Sequence, residues 1–251
     1  MFITKDIKTT ICETHGNYES SLINFKGEEM WTSCPECVKA KMVAEHKERC
    51  NQDAKNRQQM AIQALLKRSA IPKGFENVEF DDYKLEDGEE QLKIFNLCKR
   101  FANNFKTAKQ NNVHGIFVGN PGTGKTTLAI AIIKKVLEDG HTAIFTSMSD
   151  IAYAIKETFN NEGKSERKVL EDFIDIDLLV IDECGITTNE FNNDKLNYIV
   201  NKRLEQCNPT IIITNQLSGL ENRIGSRVYS RMNMSNFILN FNWQDYRKKS
   251  K

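Results

Sequence analysis

The stretch Gly119-Asn120-Pro121-Gly122-Thr123-Gly124-Lys125-Thr126 constrains the fold of this chain more than any other. It follows the apolar run Gly115-Ile116-Phe117-Val118 and opens a helical pattern over residues 127–137. A strand, a glycine loop and a helix in that order bring backbone N–H groups and the positive end of the helix dipole to one place. From there Lys125 reaches the β- and γ-phosphates of a nucleoside triphosphate, and the Thr126 hydroxyl can ligate Mg²⁺. Residues 119–126 and the adjoining Thr127 are the expected nucleotide contacts.

Two further strand ends carry chemistry of the same kind. Leu178-Leu179-Val180-Ile181-Asp182-Glu183 is a continuous apolar strand that ends in two acids, typical of a parallel sheet covered on both faces. Asp182 is expected to hold the metal, and Glu183 to polarise an attacking water as general base. The alternative is two acids capping the next segment. Thr214-Asn215 ends the run Ile211-Ile212-Ile213; the Asn215 amide can hold the water or the γ-phosphate, although an asparagine there is also an ordinary turn residue. Arg227 and Arg231, four apart, share a helix face. Either can complete a neighbour's site by stabilising charge on the γ-phosphoryl group; taken alone, the pair fits a surface helix as well.

Alternation of strands with helices from about residue 76 onward predicts an α/β domain with a parallel sheet. Strands are expected at 115–118, 142–146, 178–181, 211–213 and 237–241, and helices at 88–110, 125–138, 149–160, 165–174, 193–206 and about 219–232. The strand at 142–146, between the glycine loop and the acidic strand, and the acid Glu183 suit an ATPase with an added central strand better than a small-molecule kinase, which must exclude water.

Ahead of this domain, residues 38–69 contain no Pro or Gly and read as one long helix with a mostly polar surface. Ile71-Pro72 ends it, and the domain boundary is placed there: 1–37, 38–70 and 71–251. The chain is nearly neutral at +1, yet residues 38–70 carry eight Lys/Arg against three Asp/Glu, and residues 227–251 six against one. Such stretches can meet nucleic acid or an acidic protein face, or simply be solvated.

Within residues 1–37, Cys12-x2-His15 and Cys34-x2-Cys37 are two ligand pairs separated by 18 residues. Each spacing lets a tight turn present two ligands to one tetrahedral zinc. So short a segment has little core, and a structural metal would supply the missing stability. His46 and Cys50, four apart on the helix, are an alternative ligand pair; Cys98, Cys184 and Cys207 read as packing residues. Seven cysteines without a regular framework favour reduced thiols. Residues 1–18 lack the apolar stretch of a signal peptide, and no run approaches a membrane span, so a cytoplasmic location without membrane contact is expected.

The combination of Ile71-Pro72, the glycine loop, residues 178–183, Thr214-Asn215, the segment Gly225-Ser226-Arg227-Val228-Tyr229-Ser230-Arg231-Met232 and the ending Phe241-Asn242-Trp243-Gln244-Asp245-Tyr246-Arg247 resembles the DnaC-type helicase loaders and the related IstB transposition helpers. The resemblance covers about residues 71–247. It implies an AAA+ fold that binds ATP and Mg²⁺ between associating subunits in a ring or spiral. It implies as partners a hexameric, DnaB-like replicative helicase and single-stranded DNA. It makes Arg231 the first candidate for an arginine finger and Arg227 the second. About 35 residues follow Asn215, too few for the helical lid of most AAA+ proteins, and DnaC-type loaders also lack it. Hydrolysis is therefore expected to be weak until subunits assemble. The zinc module departs from the best-known DnaC pattern, and residues 1–70 are expected to form the helicase contact, with DNA contact by the zinc module as the other possibility. Thr146, Ser147, Lys156, Lys164, Arg167 and Lys168 are candidates for DNA contact, equally readable as solvated surface. Alternatives at the level of function are an IstB-like transposition ATPase and a nucleotide-gated adaptor without hydrolysis-driven loading.

Overall fold

The computed structural model describes residues 6–25, 28–160, 165–184, 190–215, 220–234 and 237–246. The chain divides into two compact units, residues 1–61 and 62–251. Ile71-Pro72, where the sequence places the boundary, lies inside the second.

The first unit holds β1 (Asp6–Cys12), β2 (Gly16–Phe25) and β3 (Glu28–Trp31), an antiparallel sheet in the order β1-β2-β3. The sequence pattern predicts no strands in this segment. Its alternation is blurred because hardly any side chain is buried: Ile7 and Ile11 stay 61% and 75% exposed. The Cys12↔Gly16 pair closes the first hairpin, with Gly16 at φ +77°. Helix α1 (Pro35–Arg68) follows and continues into the second unit, where Leu65 and Leu66 pack against the apolar core.

The second unit is a five-stranded parallel sheet. After α2 (Glu89–Asn103) and α3 (Phe105–Gln110) come β4 (Gly115–Gly119), α4 (Lys125–Glu138), β5 (Ala143–Ser147), α5 (Met148–Glu157), α6 (Glu166–Asp175), β6 (Leu178–Asp182), α7 (Glu190–Glu205), β7 (Thr210–Thr214), α8 (Leu220–Ile224), α9 (Ser226–Met234) and β8 (Phe237–Phe241). The strand order is β5-β6-β7-β4-β8, and every pairing is parallel. Strand β7 thus stands between the glycine-loop strand β4 and the acidic strand β6, as an added central strand requires.

Burial on both faces explains the unbroken apolar runs. Phe117, Val180, Ile211 and Ile213 point into a core with α2, α3 and α4. Ile116, Leu179, Ile181 and Ile212 point into a second core under α5, α6 and α7. Two expected helices are each broken in two. Asn104 separates α2 from α3, and Gly225, at φ +82°, separates α8 from α9. Among the described residues, no helix is long and apolar enough to cross a membrane.

Candidate nucleotide site and cysteine-histidine cluster

Parallel register carries three chemical groups to one edge of the sheet. Gly119 ends β4, Asp182 ends β6, and Asn215 lies just past the end of β7. Ligands of open α/β sheets bind at these carboxyl ends. A cavity of about 400 Å³ opens there, within the range of small-molecule sites. Pro121, Gly122, Gly124, Lys125, Thr126 and Thr127 line one side, and Asp182, Glu183 and Asn215 the other.

Local geometry prepares this cavity for a polyanion. Helix α4 starts after Gly124 without a side-chain cap, so its first amides are available to an anion. The Lys125 ammonium is buried and donates to the carbonyls of Gly119 at 2.9 Å and Asn120 at 2.7 Å. The Thr126 hydroxyl donates to Asp182 Oδ2 at 2.8 Å, which brings two oxygen ligands suited to Mg²⁺ side by side. The Glu183 amide donates to Asp182 Oδ1 at 2.7 Å. Like three other described non-glycine residues away from the cavity, Glu183 itself sits at a positive φ, +57°, in a left-handed region that non-glycine residues seldom occupy. Its carboxylate is exposed on the cavity wall beside Asn215.

Not every predicted contact lines this cavity. Gly119 contributes its carbonyl to Lys125, and Asn120 faces a neighbouring cleft. Thr123 is buried, its hydroxyl donating to the Asn120 carbonyl at 2.8 Å. Arg231 lies on α9, away from the cavity, and donates to Asn201 Oδ1 on α7 at 3.0 Å. The backbone of Arg227 is on α9, but its side chain lies outside the described residues.

Several residues at the loop carry no signal that sequence reasoning detects. Phe75 and Tyr246 complete the cavity wall, and Tyr83 and Trp243 bind the loop from behind. The aromatic ending 241–246 marks the family resemblance but gives these residues no role. Contacts spanning 40 and 120 positions leave no local signal.

The candidate DNA contacts divide. Thr146 is buried, and Ser147 caps α5 by accepting from the Asp150 amide. Arg167 pairs with Glu171 at 2.7 Å and Lys168 with Asp172 at 3.1 Å. Lys156 is exposed on α5, and Lys164 lies outside the described residues.

In the first unit, Cys12, His15, Cys34 and Cys37 bring one ligand atom each to within 4.8 Å of one another. Cys12 Sγ lies 3.5 Å from Cys37 Sγ, and His15 Nδ1 lies 3.7, 3.6 and 3.3 Å from the sulfurs of Cys12, Cys34 and Cys37. A tetrahedral zinc with ordinary Zn–S and Zn–N bonds needs edges of about 3.5–3.8 Å, and a disulfide needs about 2.05 Å. The cluster fits the metal, and the cysteines are free. Amide donation from Thr14 and then His15 lowers the Cys12 thiol to about 6, whereas the adjacent Cys12 pushes Cys37 up to about 11. His46 Nε2 and Cys50 Sγ lie 3.7 Å apart on exposed α1 with no third ligand in a cluster among the described residues.

Comparison with known proteins agrees with this geometry. Residues 33–239 match the family model described as IstB-like ATP binding protein. The replicative helicase loader DnaC of Escherichia coli K12 is 35% identical over 193 residues, which cover 76% of this chain and 77% of that one. A crystal structure of the DnaC helicase loader superposes with a TM-score of 0.59 at 27% identity, covering 67% of this chain and 99% of that one. A crystal structure of DnaI shares the fold at a TM-score of 0.57 and 17% identity, covering 70% and 94%.

Proposed function

Because the chain belongs to the IstB/DnaC family of ATP-binding AAA+ ATPases, we propose that it loads a hexameric replicative helicase onto single-stranded DNA at the expense of ATP. The observation that carries this reading is the convergence of the glycine loop, Asp182, Glu183 and Asn215 on one cavity, in a chain related to a helicase loader over most of both lengths.

Each residue then has a physical task. The loop amides and Lys125 hold the phosphates. Thr126 and Asp182 would hold Mg²⁺, which neutralises phosphate charge when bound. Glu183 accepts a proton from water, and Asn215 orients that water. Arg231 is not among the residues that line its own chain's cavity and donates instead to Asn201 on α7; it acts on a neighbour's γ-phosphoryl group, with Arg227 as the second candidate. Self-association in a ring or spiral follows from that division, and hydrolysis is weak in the isolated chain.

Zinc held by Cys12, His15, Cys34 and Cys37 orders residues 1–37. This module and the basic helix over 38–70 form the helicase contact, and residues 71–251 form the ATPase domain.

The test is a pull-down of the full chain with the replicative helicase of its host, with and without ATP, followed by a loading assay with Glu183→Gln. Expected results are capture of the helicase, hydrolysis reduced by roughly 10²–10⁴-fold, and arrested loading cycles. Loading at the unmodified rate by Glu183→Gln would assign the protein to nucleotide-gated adaptors. Failure to capture helicase in either state would remove the loader reading.

A further inference from the structure

A set of aromatic and polar groups packs against the glycine loop, Tyr246 at the cavity wall and Tyr83 and Trp243 on the Thr123 carbonyl. We propose that residues 242–246 and Tyr83 form a collar that sets the direction of the loop amides, so that Tyr83, Trp243 and Tyr246 are positioning residues for nucleotide. The inference rests on the reading of this loop as the ATP cradle.

The argument starts from the carbonyls. A phosphate cradle needs its N–H groups aimed inward, and its carbonyls must therefore point elsewhere and find donors. In a trans peptide, the N–H is antiparallel to the preceding C=O, and no cis peptide occurs among the described residues. The Thr123 carbonyl accepts from Tyr83 Oη at 3.2 Å and from Trp243 Nε1 at 2.9 Å. Two donors on that oxygen turn the Gly124 amide away from the collar, toward the side that Gly124, Lys125 and Thr126 line. The Gly122 carbonyl accepts from the Tyr246 amide at 3.0 Å, which turns the Thr123 amide in the same sense. One residue pair earlier the pattern is reversed: the Gly119 carbonyl faces Lys125, and the Asn120 amide donates to the Phe241 carbonyl at 3.3 Å.

The collar is itself held from outside the loop. Tyr246 Oη donates to the Lys84 carbonyl at 2.9 Å and accepts from Gln91 Nε2. Gln91 is fully buried and also accepts from the amides of Glu86 and Asp87. Trp243 packs on Phe241 with ring centroids 5.0 Å apart, and Tyr83 stacks on Phe95 at 5.9 Å. The contact with the loop leaves no slack. A Cβ on Gly122 would lie 1.8 Å from Asp245 Oδ1, and one on Gly124 2.6 Å from the Tyr83 ring. Both glycines have positive φ, +76° and +85°, so close approach and backbone conformation each require the missing side chain.

The experiment uses the full chain and a fluorescent ATP analogue in equilibrium titration, with Tm recorded for every variant. Tyr83→Phe keeps its ring and Trp243→Phe keeps an aromatic ring, smaller than the indole, against Phe241; each removes one donor from the Thr123 carbonyl. Each is expected to weaken nucleotide binding about three- to tenfold, the range of one net hydrogen bond. The double variant leaves that carbonyl without either donor and is expected to lose more than the product of the two. Ile174→Val, in the core on the other face of the sheet, provides a destabilised reference expected to lower Tm with unchanged affinity. Binding by the double variant within about twofold of the unmodified chain would overturn the collar. So would an equal loss of affinity in Ile174→Val. An unmodified chain that bound no nucleotide would remove the cradle reading itself, a result distinct from variants that bind normally.

Discussion

The two units of this chain solve the same stability problem by different means. Residues 62–251 bury a parallel sheet between two apolar cores, with Phe117, Val180 and Ile211 on one face and Ile116, Leu179 and Ile212 on the other. In residues 1–61, only Ser20 and Cys34 are fully buried among the described residues, and Ile11 and Met42 remain 75% and 64% exposed. Apolar burial scales with size, and a three-stranded sheet of this length cannot offset the entropy of ordering its own backbone. What it has instead is four ligand atoms drawn to one point. A metal held there would tie β1 to the start of α1 through Cys12 and Cys37, a link across 25 positions.

The largest effect should therefore come from removing the metal. A strong chelator, or Cys34→Ser, is expected to abolish protection of the β1–β3 amides from hydrogen exchange, since small zinc modules are unfolded without their ion. ATP affinity should stay within about twofold, because the cradle rests on its own cores. Persistence of the sheet in metal-free protein would break the contrast between the units.

Legibility in the sequence follows the same division. The cradle, the acidic strand and the existence of β7 are read from contiguous residues, because a strand buried on both faces must be apolar without interruption; that β7 takes the central place and β5 the sheet edge is not. The ligand pairs of the first unit are also contiguous, and the structure brings them together. The strands between them are not legible. Asp6–Cys12 fully buries none of its side chains, so burial imposes little alternation to detect. The collar is hidden for another reason: Tyr83, Trp243 and Tyr246 meet the loop across long sequence separations. The buried polar groups at the opposite edge of the sheet are hidden in the same way.

Arg203 is the first of these and sharpens the comparison from the side of the larger unit. It is fully buried, and burial lowers its guanidinium to about 9, so it remains charged at neutral pH. Its donors reach Thr210 Oγ1 and the carbonyls of Phe173, Ile174, Ile176, Asp177 and Pro209 at 2.6–3.2 Å. Backbone carbonyls here do for a cation what a metal would do for the cysteines: they satisfy a group that apolar packing could not. Arg203→Met keeps the bulk and orphans those carbonyls, and is expected to cost on the order of 3 kcal/mol or more in urea unfolding. Arg203→Lys should recover only part, since an ammonium has three donors and no planar fork. A loss below about 1 kcal/mol for Arg203→Met would mean that the apolar cores alone hold this end of the sheet.

The smallest effect is a dependence on pH, and it arises at the same strand end. His114 is buried where β4 begins. Its Nδ1 accepts from the Thr210 amide at 3.1 Å, and Nε2 lies 2.8 Å from Asn112 Oδ1. Burial, with the charges of Arg203 and Arg231 behind it, lowers the imidazole from 6.5 to about 3. Between those values the unfolded chain takes up a proton that the folded chain refuses. Stability is therefore complete above pH 6.5 and is lost as the pH falls toward 3, with a limiting slope of about 1.4 kcal/mol per pH unit. At pH 5 the loss from this one residue is about 2 kcal/mol, smaller than that expected for Arg203→Met. Urea unfolding of the unmodified chain and of His114→Gln at pH 7 and pH 5 isolates it. The variant starts from lower stability, and its decline between the two pH values should be shallower by that amount. Parallel declines would show that the proton reaches His114 in the folded state, so that this end of the sheet opens more readily than two complete apolar cores allow.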